Sequence, residues 1–162
     1  MLLVAKNMNQ LHFGELMRVY SQTNRENGAQ YFPNETIPRQ EMLAEQDFYL
    51  YLRECFFKTP DAVYAIWAES GKYVSVLRLE PYREGFLLAG LETAPEHRRK
   101  GYARKLMMAV LAYVGEKKVY SHVSKKNIAS LRVHEKCGFG IIADHAVYVD
   151  GSAQKDAYTL CR

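Results

Sequence analysis

Apolar residues recur along the chain with two periods, near 3.6 and near 2, and the changes between them mark the elements. Leu2 to Ala5 is a short apolar run of strand length. Phe13, Leu16, Met17 and Tyr20 then keep helical spacing until Asn27-Gly28, which predicts the end of a first helix. A loop carrying Tyr31, Phe32, Pro33 and Glu35 follows. Thr36 ahead of Pro38 marks a second helix start, whose face is Phe48, Tyr51, Leu52 and Cys55 and which ends by Pro60. Val63 to Ala68 and Tyr73 to Leu79, joined by Ser70-Gly71, read as a hairpin, and the turn from Pro81 to Gly85 leads into a buried strand, Phe86 to Thr93.

The next stretch is helical again. Ala103, Leu106, Met107, Val110, Leu111 and Val114 fall at offsets 0, 3, 4, 7, 8 and 11. Val119 to Val123 is a strand that must run parallel to Phe86 to Thr93, because a helix crosses between them. Asn127 to Lys136 is a short helix stopped at Gly138, and Ile141 to Val149, Asp150-Gly151 and Asp156 to Leu160 form a closing hairpin. The expected fold is mixed α/β (α+β): a mostly antiparallel twisted sheet of six to seven strands, helices on both faces, one domain over residues 1–162.

Composition narrows the chemistry. The chain has 162 residues, 48% of them hydrophobic, enough for a full core. No run approaches the ~18 apolar residues of a membrane span, and Met1 to Phe13 lacks the pattern of a signal peptide, so a cytoplasmic protein with no membrane partner is expected. Cys55, Cys137 and Cys161 show no metal-ligand spacing, and neither a metal nor a disulfide is expected. The net charge of +4 is modest, with basic clusters at 97–105 and 117–126 rather than a basic stripe interleaved with aromatics. That suits one small polyanion and not a nucleic acid.

The first cluster points to where a polyanion would sit. Arg98-Arg99-Lys100-Gly101-Tyr102-Ala103 runs straight into the third helix, whose first amides lack intrahelical acceptors at the positive end of the dipole. Such a terminus binds phosphate. Gly90, inside the preceding strand, suggests a bulge or a close approach of backbone to ligand, or relief of crowding under a helix.

Arg98-x-x-Gly101-x-Ala103, after Leu91-x-Thr93-x-Pro95-Glu96, resembles the acetyl-CoA signature of the GNAT superfamily of N-acetyltransferases. Asn127, Ser130, His134 and Glu135-Lys136-x-Gly138-Phe139 resemble that family's later motif. Together the two segments cover roughly residues 86 to 142. The resemblance implies the GNAT fold, with a splayed parallel strand pair that takes the pantetheine arm. It implies acetyl-CoA as co-substrate, held by Leu91, Thr93, Arg98, Arg99, Lys100, Gly101, Tyr102, Ala103 and Arg104, with Asn127 and Ser130 beside it. It also implies transfer to a small-molecule or peptide amine, and two copies could pair as a homodimer through the edge of the final hairpin.

Acetyl transfer to an amine needs a proton acceptor, a donor for the carbonyl oxygen, and a proton for the thiolate. The backbone amide at the Gly90 to Thr93 distortion is the expected donor. Glu92 is a candidate base, or a solvated carboxylate partnering an arginine; Glu35 is a weaker one. His134 stands where the family usually has its tyrosine acid, and imidazole, with a pKa near ~6.5, is mostly deprotonated at neutral pH. It is either the acid or a packing histidine, with Tyr102, Tyr120 and His122 as substitutes. Lys125, Lys126 and Arg104 could reach an adenosine 3′-phosphate, and Tyr31, Phe32 and Phe48 to Tyr51 could line an acceptor pocket or pack as core. A coenzyme-binding module without catalysis is the competing reading. P-loop and dinucleotide motifs are absent.

Overall fold

A computed structural model describes residues 1–162. Its seven-stranded sheet has the order β1-β2-β3-β4-β5-β9-β6, formed by β1 (Leu2–Ala5), β2 (Val63–Glu69), β3 (Lys72–Tyr82), β4 (Gly85–Thr93), β5 (Val119–Ser124), β6 (Gly140–Ala143) and β9 (Ala157–Cys161). Every neighbouring pair is antiparallel except β4 and β5. The helix α4 (Tyr102–Val114) crosses between those two, as a parallel connection requires.

Strand alternation divides the core in two. On β2, Tyr64, Ile66 and Ala68 face Leu16, Val19, Leu52 and Phe56 of the N-terminal helices, while Val63 and Ala65 face Leu106, Met107 and Val110 of α4. Helices therefore cover both faces, and α5 (Ile128–Lys136) lies on the α4 side, with Leu131 and Val133 packed on that core.

Two segments differ from the sequence expectation. The N-terminal region holds three helices, α1 (Phe13–Val19), α2 (Ser21–Tyr31) and α3 (Ile37–Glu54), with a break at Tyr20. Gly28 does not end α2; a Cβ there would lie 2.7 Å from the backbone oxygen of Gln40, so the glycine lets α3 cross close by. The final hairpin is likewise interrupted. Within it β6 pairs with β9, and β7 (Ala146–Val147) and β8 (Ala153–Gln154) form a separate ribbon at its tip.

Candidate active site

The central parallel pair is joined over three residues only, ending at Leu88 opposite Ser121. Beyond that point β4 runs on to Thr93 and β5 to Ser124 without pairing, so the strands part and leave a wedge. In the same stretch the β3–β4 register slips: Val76 faces Glu92 but Arg78 faces Ala89, which places one extra residue on β4 at Gly90–Leu91. Gly90 has φ of 61°, a left-handed conformation that costs other residues strain. Tyr20 holds the bulge by donating from its hydroxyl to the Gly90 carbonyl at 2.7 Å, and its hydroxyl also meets that of Tyr64 at 2.8 Å. Burial pushes the Tyr20 phenol up to about 12, so it keeps its proton.

A cleft of about 180 Å³ fills the wedge, bounded by Leu88 to Leu91, by Ser121 to Ser124, and by Asn127, Ser130 and His134. Asn127 caps α5 by accepting from the Ser130 amide at 3.0 Å. His134 is 1% exposed. Its Nδ1 lies 2.8 Å from the Ser130 carbonyl, which can only accept, so Nδ1 carries the proton and Nε2 accepts from the Ser121 hydroxyl at 2.8 Å. Burial lowers its pKa, partly offset by the bond to Ser130, and the ring stays neutral at pH 7.

At the end of β4 the chain makes a short 3-10 turn, Pro95–His97, and enters α4 through two left-handed residues, Arg99 and Gly101, with φ of 59° and 82°. The first intrahelical bond is Lys105 N–H to the Gly101 carbonyl, and no side chain caps the helix. The amides from residue 99 to 104 thus have no protein acceptor, Arg99, Lys100, Gly101 and Arg104 are exposed, and the space above Gly101 is open. Unpaired amides, a helix dipole and basic side chains form an anion cradle.

On the opposite face of the sheet α2 and α3 enclose a second cleft of about 690 Å³, floored by Arg78, Gly90, Leu91 and Glu92. Tyr31, Phe32, Phe48 and Tyr51 line it. The two clefts have Gly90 and Leu91 in common, so they meet at the bulge.

A model of the acetyltransferase (GNAT) family matches residues 23–139. The chain belongs to the GNAT acetyltransferase family. No curated protein matches the sequence. Among solved structures, the fold is similar to PaiA N-acetyltransferase from Thermoplasma acidophilum in complex with coenzyme A, at TM-score 0.63 and 13% identity over 100% of this chain and 98% of that one. It is similar also to spermidine N-acetyltransferase from Vibrio cholerae with CoA and spermine, at 0.61 and 22% over 99% and 94%. A third is the ribosomal-protein-S18-alanine N-acetyltransferase from Escherichia coli, at 0.59 and 17% over 99% and 92%.

Within this GNAT chain the sequence-selected residues fall into separate groups. Leu91 borders both clefts, and Thr93 shares a hydrogen bond with Ser75 at 2.9 Å. Arg98 turns away from the anion cradle. It donates to the Thr93 carbonyl at 3.1 Å, to Gln22 at 2.6 Å and to Glu92 at 3.0 Å, tying α2 to the end of β4. Glu92 takes its second bond from Thr23 at 3.0 Å and faces the larger cleft. Tyr102 and Ala103 contribute their amides at the cradle. Lys125 pairs with Asp144 at 2.6 Å, Tyr120 donates to Glu84 at 2.6 Å, and Glu35 pairs with Arg39 outside the cleft.

Two residues gain importance only in three dimensions. Arg78 is in sequence only one residue of the Tyr73 to Leu79 strand, and His122 a secondary choice for the acid. His122 borders the smaller cleft between Tyr82 and Tyr148, with ring centroids 5.6 Å and 4.8 Å away, and neither buried ring nitrogen has a partner. Burial and the nearby Arg83 lower its pKa.

Both lowered histidines have a consequence for stability. Below the ordinary histidine value of 6.5 the unfolded chain takes up protons that the folded His122 and His134 resist. The unfolded state then binds more protons, so stability should fall as pH drops through that window. The urea midpoint should be lower at pH ~5.5 than at pH ~7.5, and the difference should shrink in His134→Phe. Identical midpoints at the two pH values would contradict the buried neutral state.

Proposed function

We propose that the protein moves an acetyl group from acetyl-CoA to a primary amine, borne by a small molecule or peptide, by direct attack in a ternary complex. What carries this reading is the meeting of two clefts from opposite faces of the sheet at Gly90 and Leu91. One cleft is walled by β4, whose chain continues past Thr93 to the unpaired amides of residues 99–104, and suits the thiol arm of an extended donor with a pyrophosphate; the other fits an acceptor.

In this reading the amides at the start of α4, with Arg99, Lys100 and Arg104, hold the pyrophosphate. Asn127 and Ser130 border the pantetheine arm, and the bulge amide polarises the thioester carbonyl. Glu92, each of whose oxygens keeps a free lone pair beside its bonds to Arg98 and Thr23, takes the first proton from the ammonium. The N–C bond forms, the C–S bond breaks, and the remaining amine proton ends on the thiol. His134 acts as a positioning residue rather than the acid: its one N–H is committed to Ser130, and its bare nitrogen holds the Ser121 hydroxyl at the cleft wall.

Release of free thiol from acetyl-CoA on addition of members of an amine panel tests the reaction. Tight coenzyme binding without acceptor-dependent thiol would replace it with a coenzyme-binding module. For His134, the expected outcome of His134→Phe is a rise in the KM for acetyl-CoA with kcat reduced less than about tenfold, whereas loss of an acid would lower kcat by ~100-fold or more at unchanged KM.

A further inference from the structure

Arg78 is a guanidinium without a bonded counter-ion: Glu80, two residues along β3, is near enough to favour its charge but forms no ion pair with it. It forms no hydrogen bond or ion pair with the protein, and its Nε is buried with no acceptor. Its guanidinium carbon lies 5.8 Å from the ring centre of Phe48, 5.1 Å from Tyr51 and 5.9 Å from Phe56, so aromatic faces set its plane. It floors the larger cleft. Of the two acids lining that cleft, Glu92 is held by Arg98 and Thr23, and Asp47 is exposed. Burying a charge with unsatisfied donors is costly unless a partner completes it, and the planar fork of a guanidinium matches a carboxylate in a bidentate pair.

Position decides the rest. A Cβ at Gly90 would lie 3.0 Å from both Nε and Nη2 of Arg78, so the guanidinium touches the bulge where the clefts meet. A carboxylate docked on Arg78 is therefore next to the point of transfer, and the amine must be borne within a bond or two of it. We propose that the acceptor is an α-amino acid, its carboxylate read by Arg78 and its side chain lying against the cleft wall of Phe32, Ala44 and Phe48. The inference rests on the larger cleft being the acceptor site. It sets aside peptide N-termini and polyamines, which have no carboxylate beside the reacting amine.

The test compares matched sets with acetyl-CoA saturating: each amino acid, its carboxamide and its decarboxylated amine, with spermidine and a short amidated peptide alongside. The two controls bracket the basicity of the amino acid's amine, so basicity alone cannot mimic the result. At least one free amino acid should exceed both of its controls in kcat/KM by tenfold or more. Arg78→Met should lower the ratio of amino acid to decarboxylated amine by about 100-fold, the size expected for a charge-assisted pair, and Arg78→Lys should restore part of it. A purely structural arginine would lower all rates together and leave the ratio unchanged, which would overturn the inference. So would a preference for spermidine, for the peptide or for the carboxylate-free amines, although the acetyltransferase reading would survive. If no amine is turned over, calorimetry of the amino acid panel on the coenzyme A-saturated protein decides: binding abolished in Arg78→Met supports the inference, and no binding removes it.

Discussion

Gly101→Glu is expected to abolish coenzyme A binding, lowering affinity by about three orders of magnitude, while leaving the protein folded. The space above Gly101 is empty, so the new side chain meets no protein atom. It does enter the cradle formed by the unpaired amides of residues 99–104, where a carboxylate would both occupy the anion position and repel a pyrophosphate. Like charges brought together in a site cost several kcal/mol, and each 1.4 kcal/mol is about tenfold in affinity. Because φ at Gly101 is 82°, any side chain also introduces strain. Gly101→Asn separates the two effects, since asparagine tolerates the left-handed region. Calorimetry should show most of the affinity kept in the asparagine variant and none detectable in the glutamate variant. Unchanged affinity in the latter would move the phosphate site elsewhere.

The largest loss of stability is expected from Gly85→Ala, a change of one methyl group. Phe86 donates to the Lys118 carbonyl at 2.9 Å, and Phe86 opposite Val119 is the first pair of the parallel β4–β5 ladder. A Cβ on Gly85 would lie 1.9 Å from that same Lys118 oxygen. Neither atom belongs to a flexible side chain, so one of the two strands must move. The ladder is only three pairs long, and a shift at its start leaves little of it intact. The expected cost is about 3 kcal/mol or more, or roughly 6–12 °C in Tm for a chain of this size. Gly140→Ala serves as the control: nothing lies within 4 Å of its Cβ position, and its effect should stay within ~0.5 kcal/mol. A Tm for Gly85→Ala equal to that of the control would show that the two strands can separate at this point without loss. Because the same ladder fixes where the wedge opens, the variant should also weaken coenzyme binding at temperatures where it remains folded.

The two glycines that direct these predictions are unequally visible in the sequence. Gly101 can be found because it sits between a basic run and an amphipathic helix, a local pattern. Gly85 looks like an ordinary turn glycine, and only the approach of Lys118, 33 positions away, reveals its role. Gly28 reads as a helix end for the same cause, its neighbour being Gln40 on another helix. The Gly90 bulge is legible, since a glycine weakens an apolar strand unless the backbone there bends or is closely approached. Its fastening by Tyr20 is not, because Tyr20 also satisfies the helical spacing of a core position. Aromatic residues at Tyr31, Phe32, Phe48 and Tyr51 fit core and pocket equally well by spacing, and the fold sends them to the cleft.

Apart from the break at Tyr20 and the β7–β8 ribbon, local periodicity, turn residues and two short motifs were sufficient for the order of strands and helices, the parallel direction of β4 and β5 and the basic start of α4, since these follow mainly from residues close in the chain. Whether a polar side chain is spent on the protein or left for a ligand depends on groups brought from distant segments. Arg98 and Arg78 are both arginines near the same strand end, yet one is held by Glu92, Gln22 and Thr93 and the other has no partner. His134 likewise looks free to give up a proton until Ser121 and Ser130 are seen to occupy both of its nitrogens. Tertiary structure made these assignments because hydrogen bonds and desolvation act at contact distance, and the sequence does not record which residues come into contact.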